Sequence, residues 1–120
     1  LLEAFRASGL EVDLRVEGDP VALPPPLDLS AYRIVQEGLT NTLKHAPAAH
    51  ADVAVSYAPE QLEIVVRDDG DGSSHDDGLG HGLVGIRERV KVYGGEMSAG
   101  RAESGGYVLR ARLPLNGTAR

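Results

Sequence analysis

The 120-residue sequence predicts an α+β fold, a mixed β-sheet with helices packed on one face. Three observations lead there. Five segments alternate apolar and polar residues with the period of a strand, and two longer ones repeat apolar residues every three or four positions. Their order is β-α-β-β-α-β-β, which mixes a helical crossover with short, hairpin-like connections. The composition, 42% hydrophobic and 25% charged, is that of a chain able to bury a core without a disulfide or metal staple.

Residues 1–9 place Leu1, Leu2 and Phe5 at helical spacing and read as the tail of a helix. The chain opens on Leu, not Met, so residues 1–120 are expected to be one domain of a longer protein. Residues 11–17 alternate through Val12, Leu14 and Val16 as a strand, and residues 19–26, with four prolines, form a connector. From Asp28 the pattern becomes helical, with Val35, Leu39 and Leu43 every fourth residue, Ala31 and Ala46 extending the stripe, and Pro47 ending it. Residues 51–57 and 62–68 alternate again around the turn-like Ala58-Pro59-Glu60-Gln61 and form a hairpin. Residues 69–81 are a Gly/Asp/Ser loop long enough to be functional or mobile. Leu83, Ile86, Val90 and Tyr93 mark a second amphipathic helix, stopped by Gly94-Gly95. Residues 96–100 and 107–113 are the last two strands, joined through Gly105-Gly106.

Composition excludes several functions. Without cysteine there is no thiol nucleophile, thiolate metal site or disulfide framework. Twelve Lys+Arg against eighteen Asp+Glu give a net charge of −6, which argues against a nucleic-acid surface. No apolar run approaches the roughly 20 residues that cross a bilayer, and no membrane contact is expected of this domain. Glycine, at 15 of 120 residues, is well above the typical ~7% and falls in clusters.

Those clusters adjoin the residues able to do chemistry. Glu37, Asn41 and His45 recur every four residues, so an acid, an amide and an imidazole share one side of the first long helix, with Lys44 beside them and the apolar stripe opposite. This is either a solvated face or a site for a hard cation and phosphate. Asn41 offers the carbonyl oxygen that Mg²⁺ accepts, Lys44 and His45 can meet phosphate charge, and Glu37 can orient or deprotonate a nucleophile. Asp68-Asp69-Gly70-Asp71-Gly72 closes a strand and is either a turn or a carboxylate set against a flat ligand, where glycines remove obstructing side chains. Gly80, Gly82 and Gly85 spell the dinucleotide-binding G-x-G-x-x-G, but the preceding strand ends about ten residues earlier, so the required βαβ context is missing. What remains is a glycine-rich entry to a helix, whose backbone N–H groups can close on phosphate oxygens. His50 and His75 read as surface loop residues without metal-ligand partners at useful spacing.

Taken in order, these segments resemble the ATP-binding domain of bacterial two-component sensor histidine kinases, within the wider Bergerat-fold (GHKL) ATPases. Gln36-Glu37-Gly38-Leu39-Thr40-Asn41-Thr42-Leu43-Lys44-His45-Ala46 is similar to that family's asparagine box. Asp68-x-Gly70-x-Gly72 resembles the first glycine box, Gly80-His81-Gly82-Leu83 the second, and Gly105-Gly106 the closing glycine element. The tail GLVGIRERVKVYGG most resembles the subfamily typified by nitrate and membrane-fluidity sensors. The resemblance implies a two-layer Bergerat sandwich, with ATP and Mg²⁺ as ligands. It implies Asn41 as the Mg²⁺ ligand, Glu37 as general base or its assistant, Lys44 and His45 on the phosphates, and Asp68 on the adenine amine with Gly70 and Gly72 against the ring. It further implies that Gly80 and Gly82 let the lid close over the triphosphate, that His81 faces the phosphates, that Leu83 and Gly106 border the nucleotide, and that residues 71–77 form the mobile lid. The implied partners are an upstream dimerisation and phosphoacceptor domain of the same protein, absent here, and a response regulator. The domain would be cytoplasmic, in a parent protein that such families often anchor in the membrane. A nucleotide-gated interaction module and an anti-sigma-type serine kinase of the same fold are the alternative readings.

Overall fold

The computed structural model describes residues 2–45, 50–69, 81–101 and 106–115. In chain order the elements are α1 (Leu2–Ala7), β1 (Glu11–Glu17), α2 (Pro25–His45), β2 (His50–Tyr57), β3 (Gln61–Asp68), α3 (His81–Val92), β4 (Glu96–Arg101) and β5 (Tyr107–Pro114). The five strands make one sheet in the order β1-β2-β3-β5-β4. β1 runs parallel to β2 through the α2 crossover, and the other pairs are antiparallel. The expected mixed sheet is present. No helix among the described residues is long and apolar enough to cross a membrane.

Strand alternation selects the face that the helices cover. Leu62, Ile64 and Val66 of β3 stand opposite Leu113, Ala111 and Leu109 of β5, and all six are buried. Ile34 and Leu39 of α2 and Leu83 and Val90 of α3 close over them. The opposite face carries Glu63, Arg67, Arg110 and Arg112, and among the described residues no helix covers it.

α2 begins at Pro25, three residues earlier than its periodicity starts. Proline suits the first helical turn, whose N–H groups lack intrahelical partners anyway. The early start brings Leu27 into the core at 8% exposure. The buried stripe is also turned from the predicted one: Leu39 is enclosed and Val35 half-buried, but Leu43 is exposed, and Gly38 and Thr42 face inward beside Ile34. Gly38 explains the turn. A Cβ there would stand 3.1 Å from Leu109 Cδ2 and 3.2 Å from Val66 Cγ1, so its absence lets α2 settle directly on β3 and β5. α3 ends in a Schellman motif, with the Gly94 N–H donating to the Lys91 carbonyl at 2.9 Å and the Gly95 N–H to that of Val90 at 2.9 Å. Gly94 takes φ +85° there, the left-handed conformation this cap requires.

In β1 only Val12 is buried. Leu14 and Val16, predicted to share its apolar side, are each 49% exposed, because no helix among the described residues reaches over that part of the sheet margin.

Candidate functional site

The row of apolar side chains on the covered face of β3 ends in a carboxylate. Asp68 follows Leu62, Ile64 and Val66 at the strand's alternation and is 6% exposed. A buried carboxylate must be hydrogen-bonded to be tolerated. Thr42 of α2, 2% exposed, supplies one partner: its hydroxyl stands 3.0 Å from Asp68 Oδ2 and 3.1 Å from the carbonyl oxygen of Gly38. One hydroxyl hydrogen serves both acceptors, tying the strand end to the helix just where Gly38 brings them close. Tyr107 stands opposite Asp68 in the β3–β5 ladder, preceded by the buried Gly106 at φ +82°. Asp68 and Gly106 therefore meet at one end of the sheet.

Over the same end, the α2 segment around Gly38 and Thr42 carries Glu37 and Asn41. Both are half-buried on the helix flank. The expected separation of these polar residues from the core stripe is thus corrected: turning α2 onto Gly38 draws them from the solvent side to the margin of the sheet. Ionised, Asp68 is a hydrogen-bond acceptor only, suited to an amine or amide N–H. The Asn41 carbonyl oxygen is a hard donor, suited to Mg²⁺. A ligand with an N–H edge at one end and a metal-bound anion at the other fits these two groups.

Of the other predicted residues, Lys44 and His45 are the last two of α2, and only their backbone is described. His81 and Gly82 open α3, likewise described in backbone alone. Leu83 is 1% exposed and packs in the core, so it anchors the start of α3 from below. Gly70, Gly72, Gly80 and the expected lid at 71–77 lie outside the described residues.

Thr42 was not singled out by sequence reasoning. Its signal was present: Ile34, Gly38 and Thr42 recur every four residues, a second row beside Val35 and Leu39. His50 needs a correction. It opens β2 and is not in a loop, and it has acidic neighbours. Its Nε2 lies 3.1 Å from Asp52 Oδ1 and 3.2 Å from Asp13 Oδ2, and its Nδ1 is 3.7 Å from Glu11 Oε1. The parallel β1–β2 register sets Glu11 beside His50 and Asp13 beside Asp52, a proximity that spacing along the chain conceals. The hydrogen bond to Asp52 and the charges of Asp52 and Asp13 raise the imidazole pKa above its ordinary value.

Residues 27–117 match the family model described as histidine kinase-, DNA gyrase B-, and HSP90-like ATPase. The chain is 36% identical over 111 residues to the sensor histidine kinase YxjM of Bacillus subtilis (strain 168), covering 90% of this chain and 27% of that protein. It is 30% identical over 116 residues to the sensor histidine kinase LnrJ of the same organism, covering 96% and 29%. It therefore spans less than a third of either relative. Among solved structures, the histidine kinase domain of the Erythrobacter litoralis EL346 blue-light activated histidine kinase is similar with a TM-score of 0.72 at 26% identity, covering 94% of this chain and 57% of that one.

Proposed function

Since this chain belongs to the histidine kinase-, DNA gyrase B- and HSP90-like ATPases, we propose that it binds Mg·ATP and supplies the γ-phosphoryl group to a histidine on the dimerisation domain of a sensor kinase. The observation that carries the reading is the buried Asp68–Thr42 hydrogen bond beneath the flank of α2 that holds Glu37 and Asn41. Asp68 accepts from the adenine amine, with Gly70 and Gly72 against the ring. Asn41 holds Mg²⁺, which neutralises phosphate charge beside a protein of net charge −6. Lys44 and His45 contact the phosphates, and Gly80, His81 and Gly82 form the side that closes over them, seated by Leu83 in the core, with Gly106 at the border. Glu37 takes the proton from the attacking imidazole or orients it. Phosphoryl transfer is mostly positioning and charge stabilisation, and a site of this kind supplies both. The acceptor domain and a response regulator are its partners, and the reaction places it in the cytoplasm, where ATP is available.

Titration calorimetry with Mg·ATP and Mg·GTP tests this reading. Guanine presents a carbonyl where adenine has its amine, setting two acceptors face to face, a mismatch that costs about 1–3 kcal/mol or roughly 5- to 150-fold in affinity. ATP is expected to bind more tightly by that factor, and Asp68→Ala to abolish the preference. Equal affinities for the two nucleotides in the unmodified chain would remove Asp68 from the base pocket.

A further inference from the structure

We propose that the outer edge of β4 is a docking site for an extended acidic segment of a partner protein, which joins the sheet as a sixth strand. The two sheet margins differ in how they are guarded. β1, at one edge, alternates Glu11, Asp13, Arg15 and Glu17, all exposed, and such charges deter pairing with another chain. β4, at the other, has β5 as its sheet partner, leaving its far side unpaired among the described residues. Its interior is Met97-Ser98-Ala99-Gly100, with no charge and no proline to keep a strand away.

Beside this edge lies a cleft of about 610 Å³, reached by four cationic side chains in a protein whose overall charge is negative. Arg110 and Arg112 are paired with Glu63 and Glu96. Among the described residues, Arg87 and Lys91 of α3 have no ion-pair partner, and the Nε of Arg87 is buried without a hydrogen-bond acceptor. A buried donor left unmade is costly, and an incoming carboxylate would satisfy it. The spacing selects the form of the ligand. Four residues along a helix rise about 6 Å, and two residues along a strand about 6.6 Å, so acids at alternate positions of an extended segment match Arg87 and Lys91 in turn. Strand addition supplies affinity through the backbone, and the two cations select acidic side chains.

The site is separate from the nucleotide pocket. Glu63, at the cleft, precedes Asp68 by five residues in β3, about 17 Å of strand. The inference therefore stands or falls apart from the nucleotide reading.

The test uses a fluorophore-labelled, end-blocked octapeptide of alternating Glu and Val, its Lys/Val counterpart, and inorganic tripolyphosphate. The Glu/Val peptide is expected to bind by fluorescence anisotropy and the Lys/Val peptide not to. The pair Arg87→Glu with Lys91→Glu is expected to weaken binding by about tenfold or more, and Arg87→Gln with Lys91→Gln serves if the reversal impairs folding. Asp68→Ala is expected to leave peptide affinity unchanged. On binding, amide exchange is expected to slow at every second residue of β4, the half whose N–H groups point outward. Failure of the Glu/Val peptide to bind overturns the proposal. So does binding indifferent to both charge variants, or binding that leaves exchange in β4 unchanged. Full competition by tripolyphosphate, with no slowing in β4, would reduce the cleft to a small-anion site and overturn it as well.

Discussion

Asp68 is a residue whose environment decides what it can do. An acid at the end of an apolar strand row would be expelled to solvent unless a partner held it, and Thr42 holds it from the helix side at 3.0 Å. Thr42→Val keeps the shape and removes the donor. It is expected to lower unfolding free energy by about 1–3 kcal/mol in urea titrations and to weaken ATP binding, while Thr42→Ser restores most of both. Asp68 and Asn41 were legible in the sequence because acids before glycines and a polar row on a helix are local patterns. Thr42 left a periodic trace, but what it and the His50 cluster do was hidden because their partners come from other elements. His50 gives a second test. Its pKa is raised in the folded state, so the stability it lends is full below its unfolded pKa of about 6.5 and is lost as pH rises through the folded value. The urea midpoint is expected to fall as pH rises past about 6.5, and the fall to shrink in His50→Gln. An unchanged slope in that variant would assign the titration elsewhere.

The element that organises the site is α2, and its seating rests on Gly38. The sequence stripe through Val35, Leu39 and Leu43 names the helix correctly yet centres its buried face too far round, because periodicity counts apolar residues and Gly38 and Thr42 are not strongly apolar. What fixes the rotation is contact with Val66 and Leu109, which no window along one helix contains. Gly38→Ala gains helix propensity of about 1 kcal/mol but presses its Cβ on both neighbours, and is expected to land near zero. Gly38→Leu cannot be accommodated so cheaply. It is expected to cost about 1–3 kcal/mol and to weaken nucleotide binding along with it, since lifting α2 moves Asn41 and Thr42 away from the end of β3. Unchanged ATP affinity in a measurably destabilised Gly38→Leu would show that the seating of α2 does not govern the site.

For the molecule as a whole, the fold class and the order of elements were readable because each strand and helix carries its own period. The sheet order was not, since the placement of β5 between β3 and β4 depends on pairings across the chain. Function at this scale makes one further expectation: incubated alone with γ-labelled ATP, the chain binds nucleotide without acquiring acid-labile label. His50 sits on β2 among carboxylates that hold its imidazole at both nitrogens, a poor state for a nucleophile. Stoichiometric acid-labile label would mean that an acceptor resides in this chain after all. The parallel pairing of β1 has a consequence for the route by which the domain assembles. Tyr57 and Leu62 close the β2–β3 ladder across a short turn, whereas Glu11 meets His50 only after 39 residues, with all of α2 between them. Loop closure therefore favours the β2–β3 and β4–β5 hairpins as early nuclei and leaves the β1–β2 and β3–β5 ladders, each closing 39 or more residues, to join them later.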